Sequence, residues 1–309
     1  MLCLSWSTIA SAVVLNKKSE LRAGFELTLT PTHHEGPNSS AYDLKRTSQA
    51  FKTFINLLLS REELLDGTMR FIKIDAVPQS ESPSTASIWV KDLITNAIFN
   101  IHIDLQVIEI STPPLFKRQI QEALAPFFEI AHLQGLQFES GGGHFHLDET
   151  EMVQDPIKAL NFLILLHNNP LALKLFSPAE AEPTLFQAGL QEEFLQIIAF
   201  AKEHPDFSWI LIREKLAKIL STKPAALKFS TWHTLEVRPI DPYSSTQDVY
   251  DKFAFFQAIW DASPSNELLE PVSWDHDTFY GNVSTLTAEA TFKDLISTFK
   301  LNKFSYSHY

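Results

Sequence analysis

The chain has 309 residues, enough for one large domain or two ordinary ones around a sizeable core, and its 45% hydrophobic content is that of a globular protein. A net charge of −12 lacks the basic footprint of nucleic-acid binding. A single cysteine, Cys3, excludes an internal disulfide framework, and no apolar run is long enough to span a bilayer. Met1–Leu15 is apolar, but Lys17 and Lys18 follow it, the reverse of secretory-signal order, so a strand over Thr8–Leu15 and a cytoplasmic location are expected. In Phe25–Thr30, Phe25, Leu27 and Leu29 alternate with Glu26, Thr28 and Thr30, the pattern of a half-buried strand. Residues 31–43 read as a polar loop holding His33, His34 and Glu35.

Gln49–Leu59 has helical spacing, Met69–Val77 reads as a strand, and 78–85 is a Ser/Pro-rich connector too short to be a domain linker. Ser87–Leu93 and Ala97–Ile110 read as a strand pair. In the second, Ile101, Ile103, Leu105 and Val107 share a face, and Glu109 continues on it. A buried carboxylate is tolerated only with a cation, a metal or hydrogen bonds. Either the strand bulges or Glu109 has a specific partner. Pro113 and Pro114 then stop the strand.

Phe116–Gln134 is an amphipathic helix carrying Pro126. Ser140, three glycines and then His144-Phe145-His146-Leu147-Asp148 follow. Extended, this stretch puts His144, His146 and Asp148 on one face and Phe145 and Leu147 on the other. The glycines remove side-chain bulk, so that a ligand or another backbone can come close. Residues 155–169, 185–204 and 208–221 form a helical block whose Phe and Leu stripes read as core. Ser230–Pro239 returns to strand, with Trp232, Thr234, Glu236 and Arg238 on one face. Asp241-Pro242 makes a turn, and Ser245 or Thr246 caps a helix over Gln247–Asp261. Residues 264–285 read as irregular and 286–300 as a last helix.

Three strands thus carry charged or coordinating groups on a polar face backed by an apolar one: Glu26, then His144 with His146, then Glu236 with Arg238. Glu109 ends a fourth. Carboxylates suit Mg²⁺ or Mn²⁺, and Mn²⁺ also accepts imidazole. Arg238 matches a phosphate or carboxylate. These are parts for phosphoryl transfer from a nucleotide. No Gly-x-x-x-x-Gly-Lys-Ser/Thr loop is present, so such a site is not of that type. A Zn²⁺ hydrolase built on His144 and His146 lacks a further ligand set at a familiar spacing.

The order GFELTL (24–29), VIEISTPP (107–114), GGGHFHLD (141–148) and TLEVRPID (234–241) resembles the amidoligase family of carboxylate–amine ligases. Members show G-[VF]-E-x-E, then E-[IL]-x-S-P, a G-x-H-x-H strand, and T-x-E-x-R before an acidic turn. The likeness runs from about Gly24 to Trp260. It implies an α+β fold of glutamine-synthetase-like type, with a curved, mainly antiparallel sheet and helices on its convex face. Residues 1–309 are then one catalytic domain with a helical insertion at about 150–222.

It also implies ATP and Mg²⁺ or Mn²⁺ as cofactors, and small-molecule or peptide carboxylate and amine substrates joined through an acyl phosphate, with neither nucleic acid nor membrane as partner. By position, Glu26, Glu109, His144 and Glu236 resemble metal ligands. His146 and Arg238 resemble phosphate contacts, Arg238 alternatively a substrate contact, and Lys223 in KPAALK (223–228) a further cation. Glu236, Arg238 and His144 stand as the catalytic set. One position departs: Thr28 replaces the family's second acid. The protein then uses one metal fewer, borrows Glu35 or Asp104, or has lost catalysis. Alternatives on the same fold are a guanidino-kinase-like phosphotransferase and a non-catalytic nucleotide- or ligand-binding protein.

Overall fold

The structure is a computed structural model, and it describes residues 20–31, 44–61, 68–77, 86–104, 107–138, 144–168, 190–220, 227–230, 233–238 and 243–273. The expected strand Thr8–Leu15, the loop with His33, His34 and Glu35, the connector 78–85, the three glycines, Lys223, the Asp241-Pro242 turn and the helix 286–300 lie outside these residues.

The described chain is mixed α and β: one large, open antiparallel sheet and seven helices. Its strands are β1 (Arg22–Pro31), β2 (Phe71–Val77), β3 (Ser87–Asp92), β4 (Ile98–Asp104), β5 (Val107–Ser111), β6 (Leu115–Phe116), β7 (Leu136–Phe138), β8 (His144–Asp148), β9 (Leu227–Phe229) and β10 (Thr234–Val237). The sheet order is β2-β3-β4-β5-β1-β8-β10-β9, and β6 and β7 also pair with β1. β1, which holds the alternating Phe25–Thr30 stretch, is therefore central, with antiparallel partners on both edges.

Register follows the alternation in β1. Ile88, Ile101, Ile110 and Leu27 lie side by side across four strands, as do Phe25, Phe145, Val237 and Leu227 across another four. A one-residue slip would turn these side chains to the opposite face, so the apolar set fixes the pairing.

That apolar face is covered by helices. These are α1 (Leu44–Leu59), α2 (Lys117–Leu133) and α7 (Thr246–Ala262). Phe127 of α2 meets Phe99 at 4.7 Å and Phe71 at 5.8 Å between ring centroids, and Phe54 of α1 stacks on it at 6.4 Å. Phe253 and Phe256 of α7 meet Phe25 and Phe145 edge-on. Burying each such ring contributes about 1.5–3 kcal/mol relative to exposure. Ser245 caps α7 by accepting from the Asp248 N–H at 3.1 Å, and Pro126 lies inside α2.

Among the described residues between β8 and β9 are the helices α3 (Thr150–Gln154), α4 (Pro156–Asn168), α5 (Leu190–Glu203) and α6 (Trp209–Ile219). They are a core layer. Phe162 of α4 packs on Trp260 of α7, and Trp209 of α6 packs on Phe229. Asn161, fully buried, ties α4 to the segment after α7 by donating to the Pro264 and Glu267 carbonyls and accepting from the Leu269 N–H.

Two strand readings are corrected. Ala97–Ile110 is not one strand but the antiparallel pair β4–β5, with Asp104 opposite Val107. Ile103 and Ile108 share the apolar face, and they are five positions apart, an odd offset, so a straight strand cannot place both there. The reversal moves Glu109 to the polar face. Likewise the described residues of Ser230–Pro239 form one short strand, β10, which pairs back on β9; the Ser230 N–H donates to the Thr234 carbonyl between them.

Candidate functional site

Opposite the helices, the register lays polar residues in parallel rows. One row runs Ser87, His102, Glu109, Thr28. The next runs Trp89, Asn100, Ser111, Glu26, His144. A third holds Gly24, His146, Glu236 and Lys228. Six of the seven site residues expected from sequence lie on this side or at its end, delivered by β1, β5, β8 and β10. The seventh, Lys223, is outside the described residues; Lys228 of the same segment faces Glu236 across β9 and β10.

Glu26 is the hub. Its Oε1 lies 2.9 Å from His146 Nε2, and its Oε2 lies 3.2 Å from His144 Nδ1. Burial works to raise its pKa, but the two imidazoles outweigh burial and hold the carboxyl well below the usual range. The carboxylate is thus an anion at any physiological pH. His146 is held from behind as well. Its Nδ1 lies 3.1 Å from Thr234 Oγ1, which in turn lies 2.6 Å from Ser230 Oγ. Both nitrogens of His146 are therefore engaged by protein groups. This makes His146 the residue that orients Glu26, in addition to its expected place near phosphate.

Glu236 is 8% exposed and accepts from Arg238 at 2.8 Å on Oε1. Glu109 receives its contacts on Oε1 too: Ser111 Oγ at 3.4 Å and His102 Nε2 at 3.3 Å. In each acid one oxygen is tethered by a neighbour, and among the described residues the other makes no hydrogen bond. The expected partner of Glu109 thus exists, and it is His102. The sequence reading missed this residue, as it missed Ser111, Thr234 and Ser230. The signal was the parity switch between Ile103 and Ile108, which marks a chain reversal and puts His102 beside Glu109.

Tyr243 fixes the start of β8. Its hydroxyl donates to the His144 carbonyl at 3.2 Å, and burial raises its pKa well above the ordinary value, so it stays a donor. Gly24 is required where the chain leaves β5. A Cβ there would sit 2.9 Å from the Thr112 carbonyl oxygen.

The fit to a divalent ion rests on the His144–Glu26 contact. Its spacing is short, yet His144 Nδ1 is buried and has no hydrogen-bond partner among the described residues. The two groups are close but out of line for a hydrogen bond. Two neighbouring ligands of an octahedral ion, each about 2.1 Å from it, lie about 3 Å apart. The 3.2 Å separation is also that of an ordinary imidazole–carboxylate contact, so these two donors alone do not make a metal site. No group of three or more His, Cys, Asp or Glu side chains among the described residues is arranged to hold a metal. An ion here would take its other ligands from water and substrate oxygens, as Mg²⁺ and nucleotide phosphates commonly do.

Among solved structures, the chain is similar to one described as apo GmaS without ligand, at 12% sequence identity and a TM-score of 0.41, covering 93% of this chain and 64% of that one. The chain thus spans less than two thirds of that protein's length. No family model and no curated protein sequence matches it. Among the described residues no helix is long and apolar enough to cross a membrane.

Proposed function

We propose that the polar face is the active site of an ATP-dependent carboxylate–amine ligase of glutamine-synthetase-like fold, working with Mg²⁺ or Mn²⁺. One observation carries this reading. Segments far apart in sequence bring Glu26, Glu109, His144, His146, Glu236 and Arg238 to a single sheet face, where one oxygen each of Glu109 and Glu236 makes no hydrogen bond among the described residues. Glu26, Glu109, His144 and Glu236 would bind divalent cations singly or in pairs, with water and phosphate oxygens completing each shell. ATP supplies the phosphoryl group that activates the carboxylate substrate as an acyl phosphate, and the cation neutralises phosphate charge.

The chain's own residues bind and orient. Glu26 and Glu236 keep fixed negative charge at the centre, and His146 and Arg238 hold their carboxylates in place. The guanidinium of Arg238, 30% exposed, presents its remaining N–H groups to a phosphate or carboxylate oxygen. The amine nitrogen then attacks the acyl carbon and loses a proton, and phosphate leaves. Positioning and charge neutralisation account for the rate, with little covalent work by the protein. The substrates are a small-molecule or peptide acid and an amine, joined as an amide or isopeptide.

The test is incubation with ATP, Mg²⁺ or Mn²⁺, and mixtures of acids and amines, followed by ADP release and product mass. An amide product is expected, and Glu236→Ala abolishes it. A stable phosphorylated acceptor would instead indicate a phosphotransferase. Full turnover by Glu236→Ala, or none by the natural sequence in any mixture, overturns the ligase reading. A second reading, a non-catalytic nucleotide-binding protein, is favoured by one observation: Thr28, with no carboxylate, stands directly opposite Glu109. Nucleotide binding by calorimetry, without turnover or metal dependence, would establish it.

A further inference from the structure

The helical block between β8 and β9 reaches the polar face through the turn that joins β9 to β10. Glu149, 3% exposed, directly follows β8. Both its oxygens accept from Arg213 Nε of α6 at 2.9 Å, and Oε2 also accepts from the Trp209 indole at 3.3 Å. Arg213 reaches past this acid. Its Nη2 donates to the Ser230 carbonyl at 2.6 Å, and its guanidinium lies over the Phe229 ring at 5.3 Å. The Glu149 N–H donates to the His233 carbonyl at 3.2 Å. The ion pair therefore grips the turn at both Ser230 and His233.

The backbone of this turn is strained. His233, at φ 56°, is one of two non-glycine residues in the left-handed region among the described residues. Such a conformation persists where the surroundings impose it. The next residue is Thr234, whose Oγ1 stands between Ser230 Oγ at 2.6 Å and His146 Nδ1 at 3.1 Å. On the far side of that ring, His146 Nε2 lies 2.9 Å from Glu26 Oε1. The Glu26 carboxylate can only accept, so Nε2 carries the proton that faces it. In the neutral ring Nδ1 is then the acceptor, the Thr234 hydroxyl donates to it, and the Ser230 hydroxyl donates to Thr234. Every donor in the chain points toward Glu26. Fastening the block to the sheet would need only the Glu149–Arg213 pair; the contacts from Arg213 to Ser230 and from Thr234 to His146 add a route to the site.

We propose that Arg213 and Thr234 are positioning residues of the site. Arg213 clamps the 230–234 turn to the helical block, and the clamped Thr234 hydroxyl fixes the His146 ring and, through it, the Glu26 carboxylate. The inference rests on reading this sheet face as the active site. It gives the block a task beyond that of a core layer.

The experiment labels the histidine rings of the full chain with nitrogen-15 and records their resonances at one fixed alkaline pH, without metal, nucleotide or substrate. The natural sequence is expected to show His146 as a single Nε2–H tautomer. Thr234→Val keeps the side-chain shape without the hydroxyl and shifts the His146 Nδ1 resonance; Thr234→Ser restores it. Arg213→Lys keeps a cation for Glu149 but lacks the fork that also reaches Ser230. It shifts the same resonance in the same direction, although residue 213 contacts neither His146 nor Glu26. The double variant Glu149→Gln/Arg213→Met leaves no buried charge unpaired and repeats the measurement should the lysine variant fold poorly. Ligase turnover falls about ten- to a hundredfold in Thr234→Val and Arg213→Lys, the range for losing an outer partner of a site, and returns to within about threefold of the natural value in Thr234→Ser. An Nδ1 resonance unmoved in Thr234→Val, or moved there but in neither Arg213 variant, overturns the proposal. The expected shifts without turnover in any substrate mixture support the positioning chain and overturn only the ligase reading.

Discussion

The Arg70–Asp92 pair and the Glu26–His144–His146 cluster are both charged and both largely withdrawn from water, yet their hydrogen bonds are distributed differently. Asp92 is fully buried. It accepts from Arg70 Nε and Nη2, each at 2.9 Å, from the Ile94 N–H at 3.0 Å and from the Thr95 hydroxyl at 2.7 Å. Arg70 also donates to the Glu122 carbonyl of α2 at 2.7 Å. Every lone pair that burial would penalise is answered, and the pair ties the β3–β4 turn to α2. Around Glu26 the answers are incomplete. His144 Nδ1 lies beside Glu26 without a hydrogen bond, and the neighbouring Glu109 and Glu236 each keep an oxygen without one, among the described residues. A charge cluster whose valence is filled by protein is a fastener. One with valence left over on an accessible sheet face has room for a ligand.

The largest expected effect tests the fastener. Arg70→Ala leaves Asp92 buried and deprived of its cation, and chemical denaturation should show a loss of about 3–5 kcal/mol. Mn²⁺ affinity should not move. A loss under about 1 kcal/mol would mean that the filled cluster is not structural.

Next comes the backbone under the site. Gly24→Ala drives a methyl group to 2.9 Å from the Thr112 carbonyl, and neither partner is a flexible side-chain end. Overpacking of this kind costs about 1–3 kcal/mol. Thermal melting would check it, and an unchanged Tm would show that the β5–β6 crossing is looser than drawn.

Glu26→Gln separates charge from shape. The depressed Glu26 pKa means that its contribution to stability is complete above the ordinary value of 4.5 and is lost as the pH falls below that. The glutamine variant should lose this acid-side dependence and bind no divalent cation, while at neutral pH it is destabilised less than Arg70→Ala. Stability profiles from pH 2 to 7 that superimpose would contradict the charge assignment.

The smallest effect is at His102. The hydrogen bond and charge of Glu109 outweigh burial and raise its pKa above 6.5. Its stabilisation is therefore complete below pH 6.5 and is lost as the pH rises through the raised value. For a partly exposed pair this amounts to less than about 1 kcal/mol. Glu109→Gln should flatten the fall in stability on the alkaline side, measured by denaturation between pH 6 and 8.

The alternation in Phe25–Thr30 and His144–Asp148, and the cap at Ser245, were legible because each is a local rule. Side-chain direction in a strand follows residue parity, and a serine caps through a neighbour three residues on. That Glu26, His144 and His146 lie on polar strand faces was legible for the same reason, but their direct contacts were not, because the sequence reading gave Glu26 and His144 to a metal and His146 to phosphate. The β4–β5 reversal was not. Its apolar residues read equally well as one long strand until pairing is known, and the error put Glu109 on the wrong face. The β9–β10 pairing failed for the same reason: three residues of strand carry too little pattern to declare themselves.

Within single strands such as Phe25–Thr30 and His144–Asp148, the sequence by itself determined which residues face the core and which are left for chemistry, because burial of alternating side chains is a property of each segment alone; across the β4–β5 reversal it did not. Only the tertiary structure decided who meets whom. His102 reaches Glu109, Thr234 reaches His146, and Tyr243 reaches the His144 carbonyl because strand order and register set those distances. Register is fixed by the sum of many apolar contacts across the sheet, a quantity that no single segment contains.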